Sequence, residues 1–333
     1  METLLTFLNA EWLGKAAWLW LTFLGLVVAL LAFDLGVLHR KTQEIGIRQS
    51  LWMSLGYIAV ALLYGVWVWS YLGPESGVAF FTGFAVEKTL AMDNVFVISL
   101  IFAYFAIPRA YQHRVLFWGI LGVIVLRGLM IGLGAALVDQ FSWVLYLFGA
   151  FLILTGVRML RGGDEETDIS RNPVLKFLRR RLRITPELHG EHFFVRQPDP
   201  VSGRLVRYAT PLFLALVIVE IADVIFAVDS IPAIFAITTD PFIVYTSNIF
   251  AILGLRALYF ALSAMVHRFR YLKTALALVL VFIGGKIFYN QFFGKLDPAI
   301  SLGVTLALLA GGVVYSLVRT HRETQQASLP TER

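Results

Sequence analysis

The chain of 333 residues contains no cysteine, which excludes both a disulfide framework and a thiolate metal site. Histidine is scarce: the six fall at 39, 113, 189, 192, 267 and 321, outside the apolar runs or at their ends. Zinc and copper therefore lack their preferred ligands at depth. Charged residues make up only 15% of the chain. The N-terminal stretch METLLTFLNAEWLGKAAW has neither a basic n-region nor a small-residue cleavage site, so no cleaved signal peptide is expected. Neither a YD nor a GxGD motif occurs, which argues against an intramembrane aspartyl protease.

What is abundant is hydrocarbon. Apolar residues reach 58% and mean hydropathy is +0.75, far above a soluble domain. Nine segments are long and apolar enough to be spans: 16–38, 49–72, 77–104, 115–138, 142–160, 209–237, 242–265, 271–293 and 299–318. The fold class expected is thus all-α, a polytopic membrane bundle of about nine helices. With the N-terminus outside, the inside loops and their flanks hold 22 of the 28 Lys and Arg. Only Lys15 and Lys295 fall outside, and Lys88, Arg127, Arg256 and Lys286 lie within spans. This is the positive-inside pattern. It predicts a multi-pass protein of the cell inner membrane with a cytoplasmic C-terminus, and it accounts for the pI of 9.5 without nucleic acid. The organisation expected is a membrane part at 1–160, a basic cytoplasmic loop at 161–208, a second membrane part at 209–318 and a polar tail at 319–333. The loop alternates around a Pro/Gly turn at 193–208 and suggests a short hairpin. The tail is expected to lack structure.

Two stretches carry carboxylates where hydrocarbon is expected: FAVEKTLAMDNVFVI at 84–98 and EIADVIFAVDSIPAI at 220–234. Aligning Asp93 with Asp229 places Glu87 on Asp223 and Asn94 on Ser230. An ionisable group at membrane depth is costly and marks a functional site by default. The first stretch lies in span 3 and the second in span 6, which run in opposite directions. Spans 3–5 (77–160) and 6–8 (209–293) therefore read as an inverted repeat, a transporter signature. On one ideal helix Asp229 lies about 240° around from Asp223, and Asp93 the same from Glu87. Convergence thus requires either both repeats or a break, and Pro232 offers a break that frees the Val228 carbonyl.

The candidate metal ligands are Glu87, Asp93, Glu220, Asp223 and Asp229, with Asn94, Ser230, Asn248 and Met92 as additional donors. Asp34, Lys88, Arg127, Arg256 and Lys286 are assigned to structural ion pairs. Oxygen donors suit Mn²⁺, Mg²⁺ or Ca²⁺. The spans hold six acids against four bases, a deficit that a divalent cation matches. No tightly bound cofactor is expected.

With the acidic stretches, EKTLAMDNVFVISLIF (87–102), the run ATPLFLALVIVEIADVIFAVDSIPAIFAITTDPFIVYTSNIFAILGLRALYF (209–260), FDLGVLHR (33–40) and FIGGKIFY (282–289) resemble the TerC family of integral membrane proteins. That family sits within the LysE-like transporter group, and length and span number are most similar to its Alx branch. The resemblance implies manganese efflux along intramembrane acids, here Glu87, Asp93, Glu220, Asp223 and Asp229. Protons are then a candidate coupling ion and the bilayer and a divalent metal the partners, with Mn²⁺ as transported ion ahead of Ca²⁺ or Mg²⁺. Other members imply an alternative, a scaffold for metal loading of exported metalloproteins, near secretion machinery, or for tellurite resistance.

Overall fold

The computed structural model describes residues 6–34, 46–161, 172–198, 203–263, 272–294 and 296–327. Within its helices the side chains of Met92, Asp93, Phe96, Arg256, Leu272 and residues 320–327 lie outside the description. Among the described residues a helix runs through each of the nine apolar segments. They are α1 (Ala17–Phe33), α2 (Ile47–Leu72), α3 (Pro74–Tyr104), α4 (Arg109–Gln140) and α5 (Val144–Leu160). After the short α6 (Pro173–Arg181) come α7 (Pro211–Phe235), α8 (Pro241–Leu262), α9 (Leu272–Phe293) and α10 (Pro298–Ala327). Length and composition alone suffice for α2, α4, α7, α9 and α10 to cross a membrane, while α1, α5 and Pro241–Leu255 of α8 are apolar but shorter. Proline opens α3, α7 and α8, where its missing N–H costs nothing and its fixed φ suits the first turn.

The outer faces show what surrounds the bundle. Val125, Leu129 and Leu133 form an i, i+4, i+8 stripe on α4, each at least 63% exposed. Such a stripe is a liability in water and is ordinary against lipid tails. The protein is a mostly helical, multi-pass membrane protein.

Inside, α3 packs against α8 and α7, and α4 packs against α7 and α8. These four helices form the centre. Helix α5 lies along α9 at a crossing that only small residues permit. A Cβ on Gly284 would stand 2.6 Å from the Gly149 carbonyl oxygen, and one on Gly156 2.6 Å from that of Ala277. Close backbone approach of this kind replaces the hydrophobic driving force that lipid removes. On the other flank, Trp20 and Phe23 of α1 meet Phe242, Tyr245 and Phe250 of α8 edge-on, in the geometry that the ring quadrupole favours.

Two small hairpins complete the fold. Strand β1 (Glu11–Trp12) pairs with β2 (Lys15–Ala16) around Leu13 and Gly14, both at positive φ. Lys15 Nζ then reaches Asp240 Oδ2 at 2.9 Å, tying this hairpin to the start of α8. The alternating stretch 193–208 forms β3 (Phe194–Pro198) and β4 (Leu205–Ala209), paired antiparallel.

Two expectations are corrected. Helix α7 is not broken at Pro232 but continues to Phe235. The ring removes one N–H, and the neighbouring turns hold the helix together, as membrane helices allow. The tail is not structureless from 319, because α10 extends to Ala327. Arg, Glu, Gln and Ala are good helix formers, and a helix already nucleated in the bundle adds such residues readily.

Candidate functional site: a buried polar network between four helices

Helices α3, α4, α7 and α8 each send one polar side chain to a common point. Arg127 of α4 is 2% exposed and Glu87 of α3 fully buried. Arg127 Nη1 donates to Glu87 Oε1 at 2.5 Å, to Ser230 Oγ of α7 at 3.0 Å and to Asn248 Oδ1 of α8 at 2.9 Å. That nitrogen carries two hydrogens, so three acceptors must share them. The network is also incomplete: Glu87 Oε2, Arg127 Nε and Asn248 Nδ2 are buried without a hydrogen-bond partner. Buried polar atoms are nearly always paired, so a cluster of three that are not calls for a water or an ion.

Beside this network lies a cavity of about 30 Å³, enough for roughly two waters. Its polar lining is Asn94 of α3, Asp223 of α7 and Tyr259 of α8, and Gly119 and Leu116 contribute from α4. Asp223 is within electrostatic reach of Arg127 and Glu87, and Glu220 is within reach of Asp223. The Tyr259 hydroxyl donates to Gln112 Oε1 at 3.3 Å. Polar groups thus run from the Arg127 network through Asp223 and Asn94 towards the end of the bundle that bears the β3–β4 hairpin.

Of the sequence-derived candidates, the structure gathers Glu87, Asn94, Asp223, Ser230 and Asn248 around Arg127 and the cavity. Glu220 lies one turn from Asp223, against α4. Asp229 is half-buried on α7 beside Ser230. The side chains of Asp93, Met92 and Arg256 lie outside the described residues. Asp34 is buried at the C-terminal end of α1. Two cations end elsewhere than on the expected acids. Lys88 Nζ donates to the Ala251 carbonyl at 3.2 Å, because one residue on from Glu87 is about 100° around the helix and faces the backbone of α8. Lys286 Nζ donates to Ser301 Oγ of α10 at 3.1 Å. Among the described residues, no three acidic or histidine side chains come close enough together to enclose a metal ion.

The sequence reading missed Tyr259, Gly119 and Gly122. The two glycines stand at i and i+3 on the α4 face towards α7, but α4 also holds Gly128, Gly132 and Gly134, so the spacing alone did not single them out.

Comparison with known proteins gives the family. Residues 72–324 match the model of the integral membrane protein TerC family. The chain is 46% identical over 313 residues to the uncharacterized membrane protein STKORF319 of Myxococcus xanthus, covering 94% of this chain and 96% of that protein. It is also 46% identical over 317 residues to an Escherichia coli K12 protein named "Putative membrane-bound redox modulator Alx", covering 92% and 97%. An uncharacterized membrane protein of Rickettsia bellii matches at 46% over 300 residues, covering 90% and 97%. No solved structure matches. With three quarters of its length inside the family model and near-complete alignment to these relatives, this chain belongs to the TerC family of integral membrane proteins.

Proposed function

We propose that the protein is a secondary transporter that exports a divalent metal ion, Mn²⁺ first, through the polar core of α3, α4, α7 and α8. The observation that carries this reading is the buried, incompletely paired network of Glu87, Arg127, Ser230 and Asn248 beside a cavity holding Asp223 and Asn94. A purely structural ion pair is stabilising only when its remaining polar atoms are satisfied. Here one carboxylate oxygen of Glu87 is buried without a partner, and the neighbouring space is lined by a second carboxylate, Asp223, and the Asn94 amide, which suits an ion that keeps part of its hydration. The oxygen-only donor set favours Mn²⁺, Mg²⁺ or Ca²⁺ over softer metals.

The packing supports an inverted repeat of α3–α5 and α7–α9. Exchanging the two halves turns the α3–α8 contact into the α4–α7 contact and leaves α3–α7, α4–α8 and α5–α9 in place. Alternating access follows from rocking one half against the other around a fixed site. Asp93 and Asp229, equivalent under this exchange, belong to the same path. No covalent chemistry is assigned to the site. A thiol-based redox role has no group to work through here, since this chain has no cysteine.

The test is Mn²⁺ flux in proteoliposomes containing only this protein, for wild type, Asp93→Asn, Asp229→Asn and the double variant. Each substitution keeps side-chain size and removes one anionic oxygen. Each single variant should lower flux by about tenfold or more, and the second should add little after the first, because residues serving one ion are not additive. Equal flux in all four at equal incorporation contradicts the site. A wild type inactive with every divalent metal favours a scaffold for metal loading of exported proteins.

A further inference from the structure

Glu220 sits where another residue's side chain would be. Its carboxyl group lies against α4, and a Cβ on Gly122 would stand 2.3 Å from Oε1, 2.4 Å from Oε2 and 2.5 Å from Cδ. One turn earlier a Cβ on Gly119 would stand 3.7 Å from Oε1, an ordinary contact, and Gly119 is itself part of the cavity wall. Glu220 Oε2 is buried and has no hydrogen-bond partner. The absence of a side chain at 122 therefore provides the room in which this carboxylate lies between α4 and α7.

We infer that Gly122 is a positioning residue that seats the Glu220 carboxylate on the cation path, next after Asp223 towards the hairpin end. The inference rests on the transporter reading above. A seated carboxylate with a free oxygen presents an anionic ligand without the rotamer search of an unconfined Glu. A side chain at 122 must displace the carboxylate from this position, because real Cβ atoms do not show a 2.3 Å contact.

The experiment is a size-compensation cycle. Gly122→Ala, Glu220→Asp and the double variant are reconstituted at equal protein, and Mn²⁺ uptake is measured against Mn²⁺ concentration. Gly132→Ala serves as control, since its Cβ would meet nothing within 4 Å. In the Glu220 background Gly122→Ala should raise the apparent KM for Mn²⁺ by about tenfold, below the roughly hundredfold that a full ångström of misplacement can cost. In the Glu220→Asp background, where the carboxylate is withdrawn by one methylene, the same substitution should cost less than about threefold, the signature of contacting residues. Gly132→Ala should match wild type. If Gly122→Ala does not accumulate in membranes, recovery of accumulation and uptake in the double variant carries the same comparison. An equal penalty in both backgrounds, or a wild-type KM in Gly122→Ala, overturns the seat while leaving an active transporter. A wild type that moves no Mn²⁺ overturns the proposed function instead.

Discussion

At the scale of single residues, Arg127 carries the largest electrostatic commitment in the described bundle. It is buried, it makes three hydrogen bonds from one nitrogen, and its ion pair with Glu87 joins α3 to α4. Removing one member of a buried pair strands the other charge at a cost of about 3–5 kcal/mol, whereas removing both is often tolerated. Arg127→Met should therefore sharply lower the yield of folded protein in detergent. The double variant Arg127→Met with Glu87→Gln should recover much of that yield without recovering Mn²⁺ flux. Size-exclusion profiles and flux on the same preparations decide it. A well-folded, fully active Arg127→Met would show that the network is dispensable.

At the scale of elements, the contact between α5 and α9 holds the outer pair of helices together through backbone. The obstacle to a side chain at Gly156 is the Ala277 carbonyl oxygen at 2.6 Å, which cannot rotate away as a flexible side chain would. Gly156→Leu forces the helices apart and should cost about 1–3 kcal/mol by overpacking. A lower melting temperature for the purified protein checks this, with Gly285→Leu, whose Cβ would meet nothing within 4 Å, as the neighbouring control. Equal melting temperatures would mean that α5 and α9 separate more easily than their contact suggests. The proline at 232 belongs to this scale too. It suggested a broken helix on sequence grounds, yet α7 runs on through it, since a single missing N–H is a local defect that packing on both sides outweighs.

At the scale of the whole molecule, charge asymmetry and proton competition make separate predictions. Reporter fusions should place the β3–β4 hairpin and the C-terminus in the cytoplasm and the turn between α2 and α3 outside, following the 22 basic residues of the inside loops and their flanks. An external C-terminus would overturn the orientation. If carboxylates carry the ion, protons and Mn²⁺ compete for the same oxygens, and only the deprotonated form binds metal. Flux should then rise with external pH over the range in which these acids ionise and fall as pH drops. A flux indifferent to pH would dissociate the acids from the path.

The sequence by itself determined the helical, membrane-embedded character of the chain, the placing of its apolar helices and the two acidic stretches, because hydrophobic length and misplaced charge are local properties. It also showed that Glu87 and Asp93, or Asp223 and Asp229, cannot converge from a single straight helix. Which groups meet was decided only by the packing of α3, α4, α7 and α8. That packing gave Arg127 to Glu87, turned Lys88 to the Ala251 carbonyl and Lys286 to Ser301, and placed Glu220 against Gly122. Partner choice depends on the rotation and spacing of neighbouring helices. In lipid these are set by close backbone contact and interhelical hydrogen bonds, neither of which leaves a periodic trace along the chain.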